Sequence, residues 1–262
     1  MQKQTFETKK NRKLKKVPKE IKLNIDMDSI PEDDIYGYYI MNRMEDSGIH
    51  GLPMIGDFHE EYPDYIALFN HPAEYSTTDD TCVGFYIGDL YFDDIDGLYQ
   101  AIIYKDIELL RYYKYRLMNI KYFIAPDYSS FGNFRACTLI HQLEKQTIVM
   151  GWLVLELNAI VYPNLTYGLK SSFEMCFGII YKGSNVAISL KGCSTGENAT
   201  LLKEAIKYFV DNNEPKAIIA YSVACDKTTY ELLQYAIDKG VKVYVVDNTL
   251  RLRNLRRLSS NG

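Results

Sequence analysis

Tryptophan occurs once in these 262 residues, histidine four times, and no cysteine pairs with another as C-x-x-C. Each scarcity closes a class of chemistry. The five cysteines (Cys82, Cys137, Cys176, Cys193 and Cys225) are odd in number and scattered. That argues against a disulfide framework or a zinc site and for a reduced, cytoplasmic setting. The histidines show neither HExxH nor H-x-H spacing, so the His-hydrophobe-His metal motif of rolling-circle replication is missing. GxSxG, GxxxxGK[ST] and GxGxxG are absent as well, which leaves no signature of a hydrolase triad, a Walker A loop or a dinucleotide fingerprint. The longest apolar run, Ile148 to Leu155, falls far below the ~18 residues a membrane span needs. No apolar stretch follows the basic start, which argues against a signal peptide.

What is present is a rhythm. Short β-branched and aromatic runs end on polar residues and hand over to helix-length segments. Six such ends are Gly88-Asp89, Pro126-Asp127, Pro163-Asn164, Ile188-Ser189, Tyr221-Ser222 and Val246-Asp247. Continuous apolar strands separated by helices indicate a mainly parallel sheet covered on both faces. The expected fold is therefore α/β, with about six or seven strands, as an open doubly wound sheet or an incomplete β/α barrel. In either case a ligand site belongs beyond the carboxyl ends of the strands.

Along the chain, residues 1–25 read as a basic, disordered tail, 26–250 as a single α/β domain, and 251–262 as a basic C-terminal segment. Ile49 to Gly56 could form a first strand, weakened by Pro53, and Tyr65 to Phe69 suggests a helical turn stopped by His71-Pro72. A strand ends at Asp89, and helical stretches follow over 93–104 and 106–117. Further strands fall at 122–125, 159–162 and 185–190, with a long helix over 133–156 and a short one near 171–176. The blocks at 200–206 and 230–237 share the pattern Leu-Leu-x-x-Ala-Ile, one apolar stripe each to lay on the sheet.

The net charge of −4 conceals a segregation. Residues 1–22 carry nine Lys/Arg against Glu7 and Glu20, whereas residues 26–96 carry eighteen Asp/Glu against Arg43 alone. Arg251, Arg253, Arg256 and Arg257 close the chain. Basic ends on an acidic body are candidates for nucleic-acid binding, or they fold back on the acidic face. The acidic block could equally offer a phosphate-like surface to a basic host protein. Twenty-three tyrosines are a high count, read here as composition bias.

From the Pro126-Asp127-Tyr128-Ser129 turn onward the chain resembles an uncharacterised domain-of-unknown-function family of bacteria, phages and plasmids. The carrying motifs are Gly88-Asp89, Pro126-Asp127-Tyr128-Ser129, Pro163-Asn164, Phe173-Glu174-Met175-Cys176-Phe177-Gly178 and Ala187-Ile188-Ser189 closed by Gly192. They span the chain from about Ile49 to Tyr221. Tyr167 stands where the resemblance expects tryptophan, and Tyr221-Ser222 where it expects Tyr-Gly. The resemblance implies a phage or mobile-element setting and brings no activity with it.

Three constellations could carry chemistry. Asp89, Asp127 and Asp247 fall at strand ends, with Asp93, Asp94 and Asp96 close behind the first. Hard carboxylate oxygens at adjoining ends suit Mg²⁺ or Mn²⁺, so Asp89 and Asp127 are the candidate metal ligands and, with Ser129, the candidate catalytic groups. Helix capping is the competing role, and the stronger one for Asp93, Asp94 and Asp96. The loop from Lys191 through Gly192 and Cys193 to Gly196 could hold a phosphate on backbone N–H groups, or be a plain loop with an N-cap at Asn198. Cys193 as a nucleophile ranks below that. Asn164, Thr166, Tyr167 and Tyr221 could line a pocket for a base or sugar. Together these residues point to metal-assisted binding or processing of a nucleotide or nucleic-acid phosphate. A non-catalytic interaction protein using the acidic 26–96 face is the alternative.

Overall fold

Seven short strands, six of them buried on both faces or nearly so and the last partly exposed, order the molecule. The computed structural model describes residues 17–34, 36–44, 48–130 and 134–259. The strands are β1 (Tyr65–Leu68), β2 (Thr81–Gly84), β3 (Tyr122–Ile124), β4 (Ile160–Tyr162), β5 (Asn185–Ser189), β6 (Ala217–Tyr221) and β7 (Lys242–Val246). All ladders are parallel: β1-β2-β3-β4 form one sheet and β5-β6-β7 a second.

The two sheets join at both edges. Asn164 bridges Ala187, with the Leu165 amide donating to the Ala187 carbonyl at 2.9 Å and the Ala187 amide to the Pro163 carbonyl at 2.8 Å. On the other side Tyr65 bridges Asp247, and the Ile66 amide donates to the Asp247 carbonyl at 2.8 Å. The first residue of β1 thus meets the residue just past β7, a stagger of the kind that closing a tilted sheet requires. The result is a seven-stranded parallel β/α barrel with isolated bridges at its two seams; the sequence led to an open sheet or an incomplete barrel, and the barrel is the nearer of the two.

Alternation along the strands separates two cores. Ile66, Leu68, Cys82, Tyr122, Ile124, Tyr162, Ala187, Ile219, Tyr221 and Val246 pack together inside the ring with Tyr86. Their neighbours, Ala67, Val83, Phe123, Val161, Val186, Ile188, Ile218 and Ala220, face the helices. Tyrosine is therefore a packing residue here, four of them filling the barrel interior.

The covering helices are α1 (Tyr38–Met41), α2 (Leu98–Ile103), α3 (Ile107–Leu117), α4 (Ala136–Leu157), α5 (Phe173–Phe177), α6 (Gly196–Asn213), α7 (Asp226–Asp238) and α8 (Thr249–Ser259). The amino end of the barrel is stoppered by residues 59–62. Tyr162 donates to the Glu61 carbonyl at 3.0 Å, Asn185 donates to the His59 carbonyl at 2.6 Å, and Tyr62 stacks on Tyr244 at 3.9 Å. That leaves the carboxyl end as the open mouth.

Several sequence expectations need correcting. Tyr65–Leu68 of the expected Tyr65 to Phe69 helical turn is strand, because closure gives the Tyr-Ile-Ala-Leu run partners on both sides; the helical turn lies after it, at Pro72–Glu74. Ile49 to Gly56 is no strand: it begins with a 3₁₀ turn, and Ile55 makes only an isolated bridge to Ile180. The Asp89 strand stops at Gly84, and Asp89 opens a 3₁₀ turn. Asp93 and Asp94 cap no helix; Asp93 pairs with Lys145 of α4, and Asp94 accepts from the Asp96 amide at 3.0 Å. Thr195, not Asn198, stands at the N-cap of α6.

Of the basic tail, residues 1–16 lie outside the described residues. Residues 18–25 are held rather than loose. Arg111 donates to the carbonyls of Ile21 at 2.8 Å and Pro18 at 3.1 Å, and the Glu156 carboxylate accepts the amides of Asn24 and Ile25. At the other terminus α8 is pinned by Arg251, which is buried against Asp226 and the Ala224 carbonyl.

Candidate functional site

Four consecutive strand ends, β2 through β5, surround a cavity of about 740 Å³ at the barrel mouth, within the range of small-molecule sites. Asp127, Ser129, Thr166, Tyr167, Lys191 and Cys193 all line it. Behind this lining lie Asp89 and Asn164, bonded to residues that do. Tyr221 lies deeper, fully buried, its ring 4.7 Å from that of Tyr86 and its hydroxyl without a hydrogen-bond partner among the described residues. Gly192, at φ +80°, shapes the turn after β5 and is not among the lining residues.

Asp127 reaches the mouth because β3 ends on Ala125-Pro126, a pair that cannot continue into helix. Gln146, buried in α4, donates to the Pro126 carbonyl at 2.9 Å and fixes the turn from below. The Asp127 carboxylate then accepts from the Asn164 amide at 2.8 Å and, more weakly, from Thr166 Oγ1 at 3.5 Å. Asn164 is itself oriented by the Tyr86 hydroxyl, which donates to its carbonyl oxygen at 2.9 Å. With that oxygen occupied, the NH₂ must face Asp127 and Thr166.

Burial pushes the Asp127 carboxyl up to about 6, opposed by the Asn164 hydrogen bond and assisted by the negative charge of Asp89. A carboxyl tuned there can give or take a proton near neutral pH. Its partner acid is differently placed. Asp89 accepts from the Ser129 amide at 3.2 Å and from Ser129 Oγ at 3.0 Å, so it ties the loop after β2 to the loop after β3. Ser130 Oγ extends the clasp to the Tyr167 carbonyl at 2.6 Å.

The far wall is the β5–α6 loop. Lys191 lines the cavity with an exposed side chain that makes no ion pair among the described residues. Glu197 and Asn198 of the first turn of α6 line it too, and no side chain caps that turn. Burial raises the Cys193 thiol, and Asp127 adds to the shift, so the thiolate a nucleophile needs is disfavoured. The Tyr167 ring packs edge-on against Phe173 at 5.6 Å and Phe177 at 6.0 Å, which anchors this wall to the core.

Sequence reasoning missed Tyr86 and Gln146. Tyr86 is hidden in an apolar run, with nothing to mark it. Gln146 did leave a signal, the one amide among the buried residues of a long helix. Among the described residues no group of three or more His, Cys, Asp or Glu converges as a metal cage. Asp89 and Asp127 remain as two carboxylates that feel each other's charge.

A parallel β/α barrel with a cavity of mixed polar and apolar lining at its carboxyl mouth defines the architectural class of this chain. Within that class, the chain belongs to the family described as domain of unknown function (DUF4417), whose model matches residues 44–238. The match takes in β1 through β6 and stops at the end of α7, before β7 and α8. No curated protein and no solved structure matches the chain significantly.

Proposed function

We propose that the barrel mouth binds a phosphate-bearing nucleotide and processes it by proton transfer at Asp127. The observation that carries this reading is a carboxyl raised to about 6 on one wall of a cavity whose other wall presents Lys191. Lys191 and the first-turn N–H groups of α6 would hold the phosphate. Tyr167 and the apolar Leu165, Leu169 and Leu201 would take the sugar and base. Asp127 would act as general acid or base, Asn164 as its positioning residue, and Ser129 as a further polar contact held in place by Asp89. Mg²⁺ or Mn²⁺ fits the proposal as an ion that Asp89 and Asp127 would hold against the phosphate, because a cation there would stabilise the ionised form of a carboxyl that burial, and to a lesser degree the charge of Asp89, raises. The phage or plasmid setting suggested by the motifs belongs to the same proposal.

The test is a thermal-stability panel of nucleoside mono-, di- and triphosphates with and without Mg²⁺ or Mn²⁺, since a ligand that binds the native state raises its midpoint. A shift abolished by Lys191→Ala, and turnover abolished by Asp127→Asn with binding kept, is the expected result. No shift at millimolar ligand for any nucleotide would sink the proposal.

A second reading, a non-catalytic interaction protein, has its own support in the acidic 26–96 region. Tyr36, Tyr38, Tyr104 and Ile107 stand exposed around the Glu32–Asp33 turn, where Lys105 Nζ donates to the carbonyls of Pro31 and Glu32. Exposed tyrosines inside an acidic rim suit a cationic polypeptide. Capture of a basic host protein that is lost on charge reversal at Glu32 and Asp33, with an inert mouth, would favour it.

A further inference from the structure

A second cleft, of about 630 Å³, lies on the barrel flank near the amino ends of β4 and β5. Its origin is a gap in the helical layer. The β4–β5 crossover has only the five-residue α5, and lower down the chain around Ile55, which bridges Ile180, covers the barrel instead. The cleft opens between that segment and α4.

Its two ends differ in chemistry. Along α4 the lining is apolar, from Met44, Met54, Met150, Val154 and Leu155. Val154 is 41% exposed there despite its character. Methionine is the side chain that adapts most readily to a flexible apolar chain. Gly151 brings α1 close at this point, since a Cβ on it would stand 2.6 Å from Ile40 and 2.8 Å from the Met44 sulfur.

The other end is polar. Ser184 is 2% exposed, lines the cleft, and its Oγ finds no hydrogen-bond partner among the described residues. A buried hydroxyl in that state lacks the partner that a ligand acceptor would supply. Gly56, at φ +101°, lets the chain pass close against it, because a Cβ there would come within 2.7 Å of that oxygen. Lys182 stands at the rim, 3.7 Å from Glu214 in a pair exposed on both sides, which binds it weakly. Arg43 and His59 also line the cleft, and the one acid among its described lining residues, Asp57, turns a carboxylate oxygen to the Phe58 amide at 2.7 Å.

We infer that this cleft is a binding site for an amphipathic carboxylate of the fatty-acid type, its chain along the methionines and Val154, its head at Ser184 and Lys182.

Titration calorimetry of the full chain with decanoate, kept below its critical micelle concentration, tests the inference. Saturable one-to-one binding is expected, with a raised thermal midpoint. Val154→Asp should abolish it by placing a charge against the chain. Ser184→Ala and Lys182→Glu should each weaken it about tenfold, the loss of one charge-assisted hydrogen bond. Decanol should bind more weakly than decanoate. Lys182 is exposed, so Lys182→Glu keeps the test valid should a substitution in the cleft disturb folding. Failure of decanoate to bind, binding undiminished in both Val154→Asp and Lys182→Glu, or equal affinity for decanol would overturn the assignment.

Discussion

The Asn164 side chain donates to the Asp127 carboxylate at 2.8 Å while accepting from the Tyr86 hydroxyl at 2.9 Å, so three strand ends are joined in one directed chain. The direction matters. A hydrogen bond donated to the carboxylate favours its charged form and holds the Asp127 pKa below what burial alone would impose. Asn164→Leu should therefore raise that pKa above 6 and shift the acidic limb of any pH–activity profile upward. Tyr86→Phe should move it the same way by less, since the amide remains but is no longer oriented. Carbon-13 NMR titration of the Asp127 carboxyl reads both, and a downward shift in Asn164→Leu would contradict the network.

Asp127 also links stability to pH. Its folded-state pKa, about 6, lies above the ordinary 3.8, so the native state binds the proton more tightly than the unfolded chain does. The contribution is fully present below about pH 4 and is lost as pH rises through about 6. Asp127→Asn, which cannot charge, should then be more stable than the parent at pH 8, by on the order of 2 kcal/mol, and equal to it near pH 3.5. Urea unfolding at the two pH values checks this. A parent that gains on Asp127→Asn as pH rises would show the carboxylate to be stabilised, not strained, by its site.

Much of this arrangement could be read before folding. The βα rhythm from Cys82 onward follows from strands that are apolar on both faces, and the strand-end address of the site follows from parallel topology. Ring closure could not be read. It depends on Tyr65 meeting Asp247 across most of the chain, and the four residues of β1 carry no alternation to set them apart from a helical turn. The same limit applies to Tyr86 and Asn164. Tyr86 is unremarkable in its own segment, Asn164 stands out there only as a polar residue at a strand end, and their bond exists only because β2 and β4 reach the same height at the mouth. The capping role expected of Asp93 failed for a related reason: Lys145, on a helix fifty-two residues away, offers a stronger partner than its local backbone.

Glu156 fastens the amino-terminal segment from inside α4. Its carboxylate is wholly buried, receives Lys114 Nζ at 2.7 Å, and accepts the Asn24 amide at 2.6 Å and the Ile25 amide at 3.0 Å. Removing one member of a buried pair strands the other, at a cost of about 3–5 kcal/mol. Glu156→Ala should destabilise the protein by that order and speed hydrogen exchange at Asn24 and Ile25 far more than at barrel amides. Equal acceleration everywhere would mean that only global unfolding had changed, and that the segment is not held by this carboxylate.

The basic ends provide the last test, and the structure alters its design. Residues 18–25 are clamped by Arg111 and Glu156, so a deletion through residue 22 would damage the fold; the informative deletion is 1–16, which removes seven Lys/Arg and Glu7. At the other end Arg251 is buried, whereas Arg253, Arg256 and Arg257 lie exposed on α8 around a shallow groove with Thr249 and Leu252. If these ends hold nucleic acid, binding to duplex DNA should be sequence-independent and weaken steeply with salt, each phosphate contact adding about 0.9 to the log–log slope. Deleting 1–16 should flatten that slope and leave the melting temperature unchanged. Replacing Arg253, Arg256 and Arg257 by alanine should flatten it further. An undetectable affinity in the parent at low salt would assign the basic ends to neutralising the acidic 26–96 region instead. The mouth proposal would stand unchanged in that event, because Lys191 and Asp127 draw on neither terminus.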